Sequence, residues 1–222
     1  LDLSQCNGNR RCVEACAREN NLPDDMRYIR VIELPRGTID LERGHHRYDP
    51  EKVPVAHMNY LPVACMHCAN PPCEAVCPTR ATTKRADGLV AIDYDLCIGC
   101  ANCVMACPYD ARSIVHESHF AYGDTPMASE AKRFDPDRIG VSMKCTFCVD
   151  RIDLAVITGQ IPGVDPEVTP ACVNSCISGA MQFGDIEDPQ SSVSRLLKET
   201  QHYRMHEELG TEPGVYYIWD KS

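Results

Sequence analysis

The chain has 222 residues, 15 of them cysteine, with a formal net charge of -10 at pH 7. The acidic balance argues against nucleic acid, which selects basic surfaces, and against direct docking on anionic lipid; solubility is its plain meaning. No run approaches the ~18 consecutive apolar residues of a membrane-spanning helix, and the aromatic content of 6% is low for a packed core.

The length allows one large domain or two small ones. Disulfides, zinc and iron–sulfur clusters compete for the cysteines. An odd count sits badly with disulfides, and disulfide scaffolds favour shorter chains. Spacing decides the rest.

The cysteines fall into four groups. The first is Cys6-Asn-Gly-Asn9-Arg-Arg-Cys12, followed by Cys16. A long connection from Asn20 to Leu61 follows, in which His45 and His46 sit in a polar setting that promises no metal. The second group is Cys65-Met-His-Cys68-Ala-Asn-Pro-Pro-Cys73, ending in Cys77-Pro78. His67 lies inside this loop, either to tune a cluster through a hydrogen bond or simply to fill the loop. From Arg80 to Tyr94 the pattern predicts two short strands turning at Asp87-Gly88. The third group, Cys97-Ile-Gly-Cys100-Ala-Asn-Cys103-Val-Met-Ala-Cys107-Pro108, is the bacterial ferredoxin run C-x2-C-x2-C-x3-C-P. Its fourth cysteine is expected at the start of the next helix. Gly99 removes a side chain where backbone must approach inorganic sulfide.

The fourth group is Cys145-Thr-Phe-Cys148 plus Cys172-Val-Asn-Ser-Cys176, its third ligand delayed by an insertion from Val149 to Ala171. Pro162, Gly163, Pro166 and Pro170 mark that insertion as loop. Lys132, Arg133 and Lys144 read as scattered surface charge, with a docking patch as the rival. His202 and His206, spaced i, i+4, read as the solvated face of a polar helix end from Lys198 to Glu208.

In the bacterial run three cysteines of one loop hold one cluster, and the fourth ligates the other cluster of the pair. Crossing groups two and three gives Cys65, Cys68, Cys73 and Cys107 for one [4Fe-4S] cluster. Cys77, Cys97, Cys100 and Cys103 hold another. The same rule applied to groups one and four gives Cys16, Cys145, Cys148 and Cys172 for a third. Cys6, Cys12 and Cys176 remain, one ligand short. In register with the third group, the vacant slot is Asn9. An amide oxygen is a poor replacement for a thiolate on iron. The favoured outcome is a [3Fe-4S] cluster; the alternative keeps four irons, with Asn9 or a water on the odd one.

Zinc knuckles also use Cys-x2-Cys pairs, but seldom as four tandem runs with this period and a trailing proline. No nucleophile–base constellation and no phosphate loop stand out, so no catalytic residue and no cofactor beyond the clusters is expected. The predicted fold class is α+β, two ferredoxin-like units with long loop insertions. Residues 1–60 and 117–222 carry groups one and four; residues 61–116 carry groups two and three.

Cys65-Met-His-Cys68-Ala-Asn-Pro-Pro-Cys73, Lys144-Cys145-Thr-Phe-Cys148, Pro170-Ala-Cys172, and the tail strings Phe183-Gly-Asp-Ile-Glu-Asp-Pro189 and Gly210-Thr-Glu-Pro-Gly-Val-Tyr-Tyr217 carry a resemblance. With the four-group pattern, the chain resembles the four-cluster electron-transfer subunit of complex iron–sulfur molybdoenzymes, of the dimethyl sulfoxide, polysulfide and tetrathionate reductase type. The resemblance covers essentially the whole chain. It implies a wire of clusters. The cluster of Cys6, Cys12 and Cys176 would lie nearest a molybdenum or tungsten catalytic subunit. That of Cys77, Cys97, Cys100 and Cys103 would lie nearest a membrane-anchor subunit that handles quinone. A periplasmic position, bound to the membrane through partners, follows from the same branch, with the cytoplasmic face as the alternative. Asn9 departs from the pattern. Ile177 and Ala17 also replace the proline that follows the last cysteine of groups two and three, but that proline is not a ligand. The rival readings are the corresponding subunit of a hydrogenase or other membrane redox complex lacking molybdenum, and a free polyferredoxin.

Overall fold

The computed structural model describes residues 1–22, 26–35, 58–118, 120, 123, 125–131 and 135–219. His45, His46, Lys132, Arg133 and most of the Asn20–Leu61 connection lie outside the described residues.

Helix α1 (Arg11–Asn20) is entered through Arg10 at φ 59 and ends at Asn21 at φ 46, whose N–H closes on the Ala17 carbonyl. Strand β1 (Arg30–Pro35) pairs antiparallel with β2 (Met58–Val63), Arg30 opposite Val63. The short helix α2 (Pro72–Ala75) carries Cys73 and starts on a proline, which suits the first helical position because its missing N–H has no intrahelical partner there.

Strands β3 (Thr82–Lys84) and β4 (Val90–Ile92) form the antiparallel hairpin expected there. Gly88, at φ 85, supplies the left-handed residue of its turn. Helix α3 (Asn102–Ala106) carries Cys103. Cys107 is the residue that ends this helix rather than one that starts the next. Pro108, lacking an N–H, cannot continue the helix.

Strand β5 (Ser113–Ile114), helix α4 (Ala128–Ala131) and strand β6 (Ser142–Met143) follow, with β5 and β6 antiparallel. Helix α5 (Val149–Thr158) occupies the first half of the fourth-group insertion. The loop expectation therefore holds only for the proline-rich second half. The helix was hidden because it buries only Ala155, so its apolar residues do not follow a core-facing period.

Helix α6 (Ala171–Asn174) carries Cys172, and α7 (Ser192–Glu199) starts on a Ser191 cap, whose side chain accepts from the Ser194 N–H. Strands β7 (His202–Tyr203) and β8 (Tyr217–Ile218) pair antiparallel. His202 thus lies in a strand and His206, at φ 56, precedes a 3-10 turn. They are not helical neighbours, because Thr200 is already extended beyond the end of α7.

The four sheets among the described residues are two-stranded, so the core is assembled between elements. One cluster packs Leu3, Leu34, Leu61, Val63, Met66, Tyr109, Met205 and Tyr217 around Cys68. A second packs Met26, Tyr28, Ile29, Val115 and Met143 with Cys16, Cys65 and Cys145. The cysteines are part of both cores. Helix α1 packs on α6, and α2 on α3. Arg151 on α5 pairs with Glu19 on α1 at 2.7 Å and donates to the carbonyls of Pro166 and Glu167, each at 3.2 Å. It ties both helices to the proline-rich loop.

Candidate metal centres

Each cysteine group opens with the same backbone device. The residue two after the first cysteine is left-handed in all four: Gly8 at φ 71, His67 at φ 41, Gly99 at φ 66 and Phe147 at φ 55. This conformation turns the chain so that successive sulfurs face inward. Two positions after Gly8 and Gly99, Arg10 and Ala101 are left-handed again, at φ 59 and 64. The first and third loops therefore run in register, with Asn9 where the third group has Cys100. The closing cysteines share a second device. Arg80, Asp110 and Gly179, each three residues on, have φ of 58, 49 and 69. Their N–H groups bond back to the carbonyls of Cys77, Cys107 and Cys176.

Glycine is required at one of these turns. A Cβ on Gly99 would lie 2.0 Å from the Gly140 carbonyl oxygen. Gly99→Ala is expected to cost about 1–3 kcal/mol through overpacking and to weaken retention of metal by Cys97 and Cys100. Thermal unfolding and iron per chain check this; an unchanged melt with full iron contradicts it.

The fold brings thiols of different cysteine groups near enough to bear on one another's charge. Cys12 feels Cys6 and Cys176. Cys16 and Cys172 feel Cys145 and Cys148. Cys68 feels Cys65, Cys73 and Cys107. Those four cysteines line one small hollow, about 20 Å³, with Pro71, Pro72, Val90, Tyr109 and Arg112 also in its wall. In the remaining set, Ser142 joins two members: its N–H donates to Cys97 Sγ at 3.4 Å and its Oγ lies 3.3 Å from Cys103 Sγ. Cys77 accepts from the Thr82 N–H at 3.5 Å; no contact places it beside Cys97, Cys100 or Cys103 among the described residues.

Charge couplings also run between thiols of different expected sets. Cys16 feels Cys12, Cys145 feels Cys65, and Arg112 faces both Cys73 and Cys103.

Burial pushes the thiols up, to about 11 at Cys12 and Cys68 and about 12 at Cys145, and further at Cys16 and Cys172. A nucleophilic cysteine needs the opposite, a lowered pKa in an accessible electropositive site. As bare thiols these groups are therefore inert. The donors aimed at them suit bound thiolates: Phe147 N–H on Cys145 at 3.4 Å and Asn20 Nδ2 on Cys16 at 3.6 Å, besides Thr82 on Cys77. Hydrogen bonds to ligating sulfur are one of the levers on cluster potential. Among the described residues no three His, Cys, Asp or Glu side chains close on a point as ligands of a single ion. The donor set is sulfur-rich, and it fits iron–sulfur clusters.

Asn9 is already engaged. Its Oδ1 accepts from the Arg11 N–H at 2.9 Å and its Nδ2 donates to Asn7 Oδ1 at 2.7 Å. The amide therefore closes a local turn onto Arg11, and its oxygen is committed to the backbone.

His67 is fully enclosed. Val90 N–H donates to its Nδ1 at 3.0 Å, and its Nε2 donates to the Cys145 carbonyl at 3.0 Å. Burial, with the charges of Lys144 and Arg112, holds its pKa well below the ordinary value, so the ring is neutral. It stacks on Phe147, centroids 3.8 Å apart. The two stacked rings are the left-handed residues of groups two and four. Both ring nitrogens go to backbone, so His67 braces two ligand loops and donates to no sulfur.

Lys144 is the correction among the charged residues. It is no part of a surface patch: it is 0% exposed. Its Nζ donates to the carbonyls of Val90 and Cys145. Lys144 adjoins Cys145 in the chain, a signal that spacing alone did not weigh. Arg112, 3% exposed, was not foreseen at all. It lies outside every cysteine run and reaches Cys73 only through the fold.

A model of the 4Fe-4S dicluster domain matches residues 56–122, which span groups two and three. An Hdr-like menaquinol oxidoreductase iron–sulfur subunit 1 of Archaeoglobus fulgidus is 39% identical, over 93% of this chain and 71% of that protein. A subunit of the selenate reductase of Mesobacillus selenatarsenatis is 36% identical over 98% and 70%. A subunit of the tetrathionate reductase of Salmonella typhimurium is 34% identical over 98% and 70%.

Proposed function

The chain belongs to the family of iron–sulfur electron-transfer subunits of complex iron–sulfur molybdoenzymes, and on that premise we propose that it relays single electrons between a molybdenum or tungsten catalytic subunit and a membrane subunit that handles quinone. The observation that carries this reading is the repeated ligand-loop turn, left-handed at Gly8, His67, Gly99 and Phe147 in the four cysteine groups. The file we propose runs Cys6/Cys12/Cys176, then Cys16/Cys145/Cys148/Cys172, then Cys65/Cys68/Cys73/Cys107, then the set of Cys103, an order supported by the charge couplings of Cys16 with Cys12, Cys145 with Cys65, and Arg112 with Cys73 and Cys103.

Three sets of four thiolates would hold [4Fe-4S] clusters, with Cys77, Cys97 and Cys100 joining Cys103. Cys6, Cys12 and Cys176 would hold a [3Fe-4S] cluster, a reading supported by the engagement of the Asn9 amide with Asn7 and Arg11. When bound, an iron–sulfur cluster supplies one-electron redox chemistry at a potential set by its type, charge, hydrogen bonds and exposure. The chain's own task is to fix the spacing of the sets, aim N–H groups at the sulfurs and keep water from the middle of the file. Substrate turnover belongs to the catalytic partner.

Burial is graded to suit a relay. Five of the eight thiols in the middle, Cys16, Cys145, Cys65, Cys68 and Cys73, are buried, whereas at the ends only Cys103 is buried, Cys6, Cys12, Cys176, Cys77 and Cys97 are half-buried and Cys100 is exposed. Large apolar side chains stand in the open at both ends, Ile177 at 64% beside Cys176, and Ile98 at 68% and Met105 at 86% around Cys100. Such residues suit docking faces. The packing of α1 on α6 and of α2 on α3 supports two ferredoxin-like units, groups one with four and two with three. We place the chain on the periplasmic side of the membrane by its likeness to the polysulfide and tetrathionate branch. No helix among the described residues is long and apolar enough to cross a membrane.

Removing this chain from the complex tests the reading. Quinol-to-substrate turnover is expected to vanish, while the catalytic subunit keeps turnover with a small soluble electron-donor dye. Undiminished quinol-driven turnover without the chain contradicts it.

A further inference from the structure

Two cations are buried in the middle of the file, Lys144 at 0% and Arg112 at 3% exposure. Among the described residues neither has a carboxylate within ion-pair distance. Lys144 Nζ is held by the carbonyls of Val90 and Cys145. Arg112 donates to Thr82 Oγ1 at 3.1 Å, Ser142 Oγ at 3.4 Å and Cys73 Sγ at 3.2 Å. A buried cation without an anionic partner carries a heavy desolvation penalty, so a chain that keeps two places negative charge beside them.

Their positions say where. Lys144 bonds to the backbone of Cys145 and to Val90, and Val90 packs against Cys73 and Cys103. It therefore stands at the junction of the Cys145 set and the Cys73 set. Arg112 donates to Cys73 and, through the shared Ser142, reaches the sulfur environment of Cys97 and Cys103. It stands at the next junction. Two of the three steps of the file thus have one fixed positive charge each, and the Cys73 set lies beside both.

We propose that Lys144 and Arg112 are potential-setting residues of the relay, raising the reduction potentials of the thiolate-ligated centres on either side of each and the Cys65/Cys68/Cys73/Cys107 centre most. The proposal rests on the relay reading above. The physical reason is Coulombic. A reduced centre carries one more negative charge than an oxidised one, so a nearby buried cation favours the reduced form. Arg112 adds a charge-assisted hydrogen bond to Cys73 Sγ, acting in the same direction. Without the cations, adjacent negative centres in a low-dielectric interior would repel added electrons.

The test is a potentiometric titration of the assembled complex, followed by electron paramagnetic resonance, with iron counted in every sample. The variants are Arg112→Gln, Arg112→Lys, Lys144→Met and Lys144→Arg. Arg112→Gln is expected to lower the potentials of the Cys73 and Cys103 centres, and Lys144→Met those of the Cys145 and Cys73 centres. In each case the reduced-to-oxidised ratio at fixed potential falls about tenfold, ~59 mV for a one-electron couple. The centre of Cys6, Cys12 and Cys176 is expected to hold its value, and the charge-keeping variants to restore most of the shift. Full iron with unmoved potentials, or an equal shift at every centre, overturns the proposal. If the neutral variants fail to load clusters, the charge-keeping pair decides. Loading with near-native potentials supports the role of charge, and failure of both reduces the two residues to packing. A wild-type chain without iron–sulfur clusters would instead defeat the relay reading itself.

Discussion

Stripping the iron from the chain is expected to unfold it. Under anaerobic chelation, far-ultraviolet circular dichroism should collapse toward coil and the cooperative thermal transition should disappear. The reason lies in the size of the elements. Helices α2 and α6 have 4 residues each and α3 has 5, far below the ~12–15 residues at which an isolated helix becomes even marginal in water. Every sheet among the described residues has two strands, and a lone two-stranded hairpin is marginal at best. Cysteines occupy central places in the packing, Cys16, Cys65 and Cys145 in one cluster and Cys68 in another. Where ligands are this entangled with the core, metal-binding free energy is folding free energy, on the order of 10 kcal/mol for structural metal sites. Native circular dichroism and a cooperative melt after complete iron removal would sink the idea.

The second large effect concerns one side chain. Asn9→Cys is expected to convert the end cluster from [3Fe-4S] to [4Fe-4S]. A [3Fe-4S] centre is paramagnetic when oxidised, whereas oxidised low-potential [4Fe-4S] centres are silent. The wild-type chain should therefore give an oxidised-state resonance that the variant lacks, and the iron content should rise by about one per chain. The loop is prepared for the change. Gly8 and Arg10 repeat the left-handed conformations of Gly99 and Ala101, so position 9 stands where Cys100 stands in the third group. The replaced amide makes local bonds only, to Asn7 and to the Arg11 N–H. Losing that exposed local turn is a small cost against a fourth thiolate on iron. Identical oxidised spectra from wild type and variant contradict the assignment.

The ligand loops were legible because their spacing is local, and each turns through a left-handed residue at Gly8, His67, Gly99 or Phe147. Cysteine runs print their turns into the sequence, and Asp87-Gly88 announced its hairpin with equal clarity. Elements set by tertiary contact were not legible. Helix α5 turns Val156 and Ile157 to the outside, so no apolar period betrayed it. His202 and His206 have helical spacing yet sit in a strand and before a turn, because the chain straightens at Thr200. Lys144 looked like surface charge since lysine is rarely buried. Its burial depends on the Val90 carbonyl, 54 residues away in the chain. Arg112 meets Cys73 across 39 residues, a distance over which no motif speaks.

An electron paramagnetic resonance titration of the intact complex, from fully oxidised to fully reduced, tests the central claim most directly. The account predicts one resonance in the oxidised sample that disappears first, at the highest potential, followed by signals from the remaining centres, each growing in as a one-electron wave. A silent spectrum at both ends of the titration, or metal analysis that finds zinc in place of iron, would contradict it.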